Sequence, residues 1–453
     1  MKFPDNRSAS SKLYQRALAS MPGGNTRTSL WWPPYVLYAE SGEGAEVTDV
    51  DGDTRVDFHN AFSTLIHGHS HPLVVERLRE QAGRLLSVGM STRYEIELAE
   101  KICARLPGAD LIRFTNSGTE ATMTALKAAR GYNGRPRFAK CEGCYHGSYE
   151  TLELSTSSRP SNWGDAAHPN AVPQSKGTPQ ATVDEAIILP FNDIEASRRL
   201  LERHASELAA VFIDPVPVRM GLITAGDAYL AMLREVTAAA GIVLIFDEVV
   251  TFRMAPGGYQ GIAGIEPDLT TLGKFIGGGL PVGAIAGKRD FMAVFDPSDG
   301  GPDVWHGGTF NANPMTMVAG LASMELLDDA AYPRMSALAT SARSKIAALF
   351  DRHGLDWQLS GYGSMFRFHA HGRDISNYRT YYPKPEEGRT IVTLMTHLLN
   401  AGVLPTRIGV LSISSVMDET HVDALTQAVD DALRRMDADG DLAASQAAAA
   451  GAA

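Results

Sequence analysis

The chain has 453 residues, 44% hydrophobic and 21% charged, with a net charge of −11. That is the balance of a globular protein long enough for two large domains or about three of ordinary size. The acidic balance argues against a nucleic-acid backbone as the main partner, because phosphate binding needs a basic face. Cys103, Cys141 and Cys144 are too few and too odd in number for a disulfide framework. The N-terminal stretch MKFPDNRSASSKLYQ has no apolar signal-peptide region, and no apolar run reaches the ~18 to 20 residues of a membrane span. A cytoplasmic location is expected.

In chain order, LIRFTNSG (residues 111–118) reads as a strand leading into a turn. TEATMTALKAARGY (residues 119–132) follows as a helix, with Thr122, Ala125, Leu126 and Ala129 at helical spacing and Gly131 as its expected end. Residues 156–184, rich in Pro, Ser, Gly and Asn, read as one long loop. AAVFIDPV is then a buried strand, AYLAMLREVTAAAG a helix that stops at Gly241, IVLIFDEV the next strand, and DLTTLGK another strand end. Strand and helix alternating in this way predict a mostly parallel sheet with helices on both faces. Such sheets bind ligands at the carboxyl ends of their strands. The alanine-rich residues 437–453 carry no large apolar residue except Leu442 and are expected to be disordered or a frayed helix.

Three strand ends carry polar groups that make sense together. Ser117 and Glu120 have the spacing of a helix capping box. Gly118 lets backbone approach a ligand closely, and the amides of the helix start, with the Ser117 and Thr119 hydroxyls, can hold a phosphate. Asp247 and Glu248 end a strongly apolar strand, where a buried carboxylate needs a partner. Lys274 is the only charge in TTLGKFIGGGLPVG (residues 270–283). A desolvated lysine has a lowered pKa, and its neutral amine attacks carbonyls. An amine, an acid and a phosphate cup are the three parts that pyridoxal 5′-phosphate requires. Other groupings are weaker. Cys141 and Cys144 form a C-x-x-C that reads as a redox pair, half a zinc site or two thiols beside a strand end, and no second pair completes a zinc site. His67, His69 and His71 alternate as chelating residues do, but also suit a tight turn.

The motifs PGGNTR (22–27), HGHSHP (67–72), TNSGTEA (115–121), YHG (145–147), FDEV (246–249), LTTLGKFIGGGLPVGAIAG (269–287) and GTFNANP (308–314) occur in this order. With them the chain, from about residue 15 to 435, resembles fold-type I pyridoxal-phosphate enzymes of the class III aminotransferases. The nearest branch is that of the glutamate-1-semialdehyde aminomutases and β-amino acid (β-phenylalanine) aminotransferases. The resemblance implies an α/β large domain with a mostly parallel seven-stranded sheet over residues 66–325. A smaller α+β domain would be built from residues 1–65 and 326–436. It implies Lys274 as the Schiff-base lysine, Asp247 as the partner of the pyridine nitrogen, Val249 and Tyr145 on the two ring faces, His146 beside them, and Ser117, Gly118 and Thr119 as the phosphate cup. Thr309 would reach the phosphate of a neighbouring subunit, which implies a homodimer with shared sites. One departure is Asp214-Pro215 where relatives carry Glu-Pro; Asp214 is one methylene shorter. Arg219, in the altered loop that follows, reads as a solvated charge or a substrate contact.

Arginine grips carboxylates with paired hydrogen bonds. Arg27 matches an arginine at the pocket mouth of relatives, and Arg407 lies near their C-terminal one. Trp31, Trp32 and Tyr35 could line an apolar pocket or pack the N-terminal segment. The expected reaction is transfer of an amino group from a β-amino acid or related amine to a 2-keto acid, by a ping-pong mechanism. The alternatives are an aminomutase acting on an amino-aldehyde, a racemase using the same Lys274, and a catalytically silent binding module.

Overall fold

Apolar runs of four to six residues become the seven strands of one sheet. In this computed structural model, which describes residues 2–298 and 300–442, they are β1 (Leu111–Thr115), β2 (Arg137–Cys141), β3 (Ala186–Leu189), β4 (Leu208–Ile213), β5 (Val243–Asp247), β6 (Leu269–Gly273) and β7 (Gly283–Gly287). Their order across the sheet is β1-β7-β6-β5-β4-β2-β3. Neighbours from β3 to β6 pair in parallel, and β7 lies antiparallel between β1 and β6. The central strands β4, β5 and β6 are buried along their whole length, as helices covering both faces of the sheet require, without the alternation of a one-sided sheet. Ala121, Ala125 and Ala128 of α1 (Gly118–Asn133) share one core with Phe212, Val243, Ile245 and Ile285 of the sheet.

The sheet belongs to a compact unit of Leu73–Tyr332 and Asp374–Tyr382. The second unit takes the segments up to Pro72, Pro333–Arg373 and from Pro383 onward. It holds a four-stranded sheet of Ala39–Glu43, Glu46–Asp49, Thr54–Asp57 and Val403–Leu404, and a three-stranded antiparallel sheet of Gln358–Tyr362, Met365–His369 and Val410–Ser412. Helices Pro385–Asn400 and Glu419–Ala438 accompany these sheets. Among the described residues no helix is long and apolar enough to cross a membrane.

Three local readings need correction. Helix α1 does not end at Gly131; it continues to Asn133, and Gly134, at φ 70°, caps it in the left-handed conformation. Gly131 serves packing instead, since a Cβ there would lie 2.4 Å from Val304 Cγ2. The long loop closes earlier than residue 184, because Gln180–Asp184 forms a short helix once Pro179 has set its start. The expected capping box is half formed. Ser117 Oγ accepts the Glu120 N–H at 3.1 Å, but the Glu120 carboxylate takes the amide of Asn116 at 2.8 Å. Helix Glu419–Ala438 runs into the start of the tail expected to be disordered or a frayed helix, and Leu442 is buried; residues 443–453 lie outside the described ones.

Candidate functional site

The carboxyl ends of β5 and β6 and the start of α1 meet in the sheet unit. Strand β5 ends at Asp247, whose side chain is buried. Asp247 Oδ2 lies 2.8 Å from His146 Nδ1, and Oδ1 accepts the Thr271 hydroxyl at 3.1 Å and the Val249 N–H at 3.2 Å. Register explains Thr271: it pairs with Asp247 across β5 and β6. Burial, opposed by Asp247, holds the His146 imidazole below its ordinary range. The neutral ring therefore donates Nδ1–H to the carboxylate, which leaves Nε2, buried and without a partner among the described residues, as an acceptor.

Strand β6 ends at Gly273, and the next residue turns sharply. Lys274 has φ 55°, in the left-handed region that a residue with a Cβ enters at a cost of roughly 1–2 kcal/mol. Its amine has no hydrogen-bond acceptor among the described residues. Burial pushes the Lys274 ammonium down, and the attraction of Asp247 and Asp214 only partly offsets this. Asp214, which follows β4, accepts the Val216 N–H at 3.1 Å. Burial and then the neighbouring Asp247 push it well above the usual carboxylate range.

At the start of α1 the first amides have no acceptor inside the helix. A Cβ on Gly118 would lie 3.1 Å from both Val249 methyls, and one on Gly273 would meet the same side chain at 3.4 Å. These two glycines and Val249 thus form one contiguous floor. The turn carrying Tyr145 closes against it: a Cβ on Gly147 would lie 2.8 Å from Thr119 Cα, and the Ser148 N–H reaches Thr119 Oγ1 at 3.2 Å. The Arg219 guanidinium sits over the Tyr145 ring, 5.4 Å from its centroid. It is exposed and forms no ion pair among the described residues, as a solvated loop charge would be.

The fold thus gathers Lys274, Asp247, Ser117, Gly118, Thr119, Tyr145, His146 and Val249 in one place. Thr309 is exposed on a loop tied back to the cup by a 2.8 Å hydrogen bond from Asn116 Nδ2 to Asn311 Oδ1. Arg27, Trp31 and Arg407 belong to the other unit. There Arg27 is exposed, Arg407 is half-buried, and Trp31 packs near Tyr14. Trp32 and Tyr35 are buried, the first bonded to Thr396 and the second to Asp5, so they pack the N-terminal segment. His67 pairs with Ser415 and His69 with Asp57, and no metal-binding group occurs among the described residues. Cys141 and Cys144 are buried free thiols. Sequence reasoning missed Thr271 and Lys140. The signal was present for both, as a polar pair in LTTLG and a lysine beside Phe138, Ala139 and Cys141 in RFAKC.

Sheet order, crossover strand and strand-end site define a fold-type I pyridoxal-phosphate transferase. The chain belongs to the class III aminotransferases: the family described as "Aminotransferase class-III" matches residues 31–433. It is 37% identical to the glutamate-1-semialdehyde 2,1-aminomutase of Methanothermobacter thermautotrophicus, over 94% of this chain and 98% of that protein. Among solved structures, an ω-transaminase from Sphaerobacter thermophilus is 45% identical with a TM-score of 0.93, covering 95% of this chain and 98% of the other. A β-phenylalanine aminotransferase from Variovorax paradoxus is 33% identical with a TM-score of 0.83, covering 95% and 94%.

Class III aminotransferases use pyridoxal 5′-phosphate, and the donor set here fits that group. Lys274 offers an amine with no competing acceptor. Asp247 offers a buried carboxylate fixed by His146 and Thr271. The helix start offers amides beside a glycine whose missing Cβ leaves the floor flat.

Proposed function

We propose that the protein moves an amino group with pyridoxal 5′-phosphate, and that its reaction is an amino shift within one amino-aldehyde, of the glutamate-1-semialdehyde aminomutase kind. The observation that carries this reading is the near full-length similarity to a curated aminomutase, joined to the lysine–aspartate site described above. A second reading is the expected transfer from a β-amino acid or related amine to a 2-keto acid. The 45% identity to an ω-transaminase favours it.

When bound, the cofactor supplies a carbonyl that takes up amines and a ring that draws electrons from the carbon bearing them. Asp247 holds a proton at the ring nitrogen, with its orientation set by His146 and Thr271. Lys274 Nζ, disfavoured as an ammonium by burial, serves as the amine and moves a proton at the substrate carbon. Ser117, Gly118 and Thr119 bind the phosphate, while Val249 and Tyr145 flank the ring. Arg27 and Arg407 bind substrate carboxylates in this reading, and Trp31 lines the substrate pocket. A homodimer is part of this reading: exposed Phe310 and Trp305, near Thr309 in the chain, are large apolar side chains that a partner would cover.

Keto-acid dependence separates the two reactions. The purified enzyme is given an amino-aldehyde alone, and then a racemic β-amino acid with 2-oxoglutarate or pyruvate. Isomerisation of the amino-aldehyde with no keto acid present is expected. Strict dependence on a keto acid would move the assignment to transamination. Inversion of an amino acid without transfer would point to a racemase, and cofactor uptake with no turnover to a binding protein.

A further inference from the structure

Lys140, on β2, has a fully buried side chain and no carboxylate bonded to it among the described residues. Its Nζ donates to the carbonyl oxygens of Cys144 at 2.8 Å, Leu152 at 2.8 Å and Leu154 at 2.7 Å, with Thr156 Oγ1 at 3.3 Å. An ammonium has three hydrogens, and here three main-chain carbonyls receive them. Thr156 Oγ1 also reaches the Cys144 carbonyl at 3.1 Å, and the Gly143 N–H bonds Ser155 O at 2.8 Å. These carbonyls come from residues 144–156, a segment with no α-helix or β-strand to satisfy its backbone. Buried carbonyls without donors are costly, and so is a buried cation without acceptors. Each solves the other's problem.

The segment that Lys140 gathers is the one that carries Tyr145 and His146. Its first bonded carbonyl, Cys144 O, immediately precedes Tyr145. From there the chain runs to His146 Nδ1 on Asp247, to the His146 carbonyl held by Thr122 Oγ1 at 2.7 Å, and to Ser148 N on Thr119. We propose that Lys140 is a positioning residue for the cofactor site: it fixes the turn that aims Tyr145 and His146 at the ring and at Asp247. This rests on the reading of those two residues as cofactor neighbours. Lys140 touches neither substrate nor cofactor; it acts through the backbone of residues 144–156.

The test compares the holoenzyme with its Lys140→Met variant by hydrogen exchange and by the rate of cofactor release after dilution, read from the bound cofactor's absorbance. Exchange in residues 144–156 should rise at least tenfold while residues 208–213 and 243–247 keep their protection, and release should quicken at least fivefold. Lys140→Arg, which keeps a cation but cannot match the same three carbonyls, should fall between. Unchanged exchange and release in a folded Lys140→Met would overturn the proposal. So would protection lost equally across the sheet, or a variant that does not fold, since each marks a general core role. The wild-type enzyme gives a measurement free of folding: exchange of residues 144–156 at open-chain rates would also overturn it. Failure of the functional reading looks different, because wild-type protein would then never take up the cofactor.

Discussion

Two lysines stand near the carboxyl ends of β2 and β6, strands of one sheet with β4 and β5 between them, and burial lowers the pKa of both. Lys140, pushed down to about 8, has every hydrogen directed at a carbonyl. Lys274 sits at φ 55° with no acceptor among the described residues. The difference teaches what a buried charge in an apolar run means. Desolvation alone marks neither residue as reactive. In the proposed function, the lysine whose donors are satisfied is a structural cation, and the one held in strain with its amine unengaged is the reagent.

Exchanging the losses should separate the two most sharply. Lys274→Ala is expected to lower turnover by about 10³-fold or more while leaving thermal unfolding nearly unchanged. Borohydride should then no longer fix the cofactor to the chain. Lys140→Met should instead leave three buried carbonyls without donors, loosening residues 144–156 and quickening cofactor release, while turnover at saturating cofactor falls far less than in Lys274→Ala. If Lys274→Ala still binds the cofactor covalently, the assignment of the reagent is wrong.

Next in size is the partner acid. Asp247→Asn keeps the shape and the hydrogen bond from Thr271, but removes the charge. Turnover should fall roughly 10²-fold, with the absorbance of the bound cofactor shifted. Equal activity would mean that the ring nitrogen is not the group that Asp247 meets. Gly118→Ala should act more gently. The added methyl, 3.1 Å from two Val249 methyls, intrudes on the floor and should weaken cofactor binding roughly tenfold, as measured by titrating apoprotein.

The parts of this site that could be read in the sequence were those with a local signature. Lys274 stood out as one charge among apolar residues, Asp247 as an acid ending an apolar strand, and Ser117–Thr119 as a helix start. The seven-stranded sheet followed from apolar runs alternating with helical patterns. What could not be read depended on register or on distant pairing. Thr271 matters because it lies opposite Asp247 across two strands, and single-chain periodicity does not supply that pairing. Lys140 carried a weaker form of the Lys274 signal, lying between Arg137 and Glu142, and its three carbonyls come from an irregular segment 4 to 14 residues away. Gly131 reads as a helix stop because glycine is a good one; contact with Val304 explains it only in three dimensions.

The smallest effect extends the comparison from lysines to His146, the other buried base of the site. Burial holds its pKa below the ordinary 6.5. Below pH 6.5 the unfolded chain therefore takes up a proton that the folded chain refuses. The group's contribution is complete above 6.5 and is lost as pH falls through the folded pKa, with a slope of up to about 1.4 kcal/mol per pH unit. Denaturant unfolding between pH 7.5 and 5 should show stability falling toward acid, and His146→Asn should flatten part of that slope. The slope is the informative quantity, since the substitution also disturbs Asp247 and will shift stability at every pH. An unchanged slope would mean that His146 accepts its proton in the folded state and faces Asp247 as an imidazolium. The site would then hold a second cation beside Lys274, and the contrast between a satisfied lysine and an unengaged one would no longer be enough to explain which group reacts.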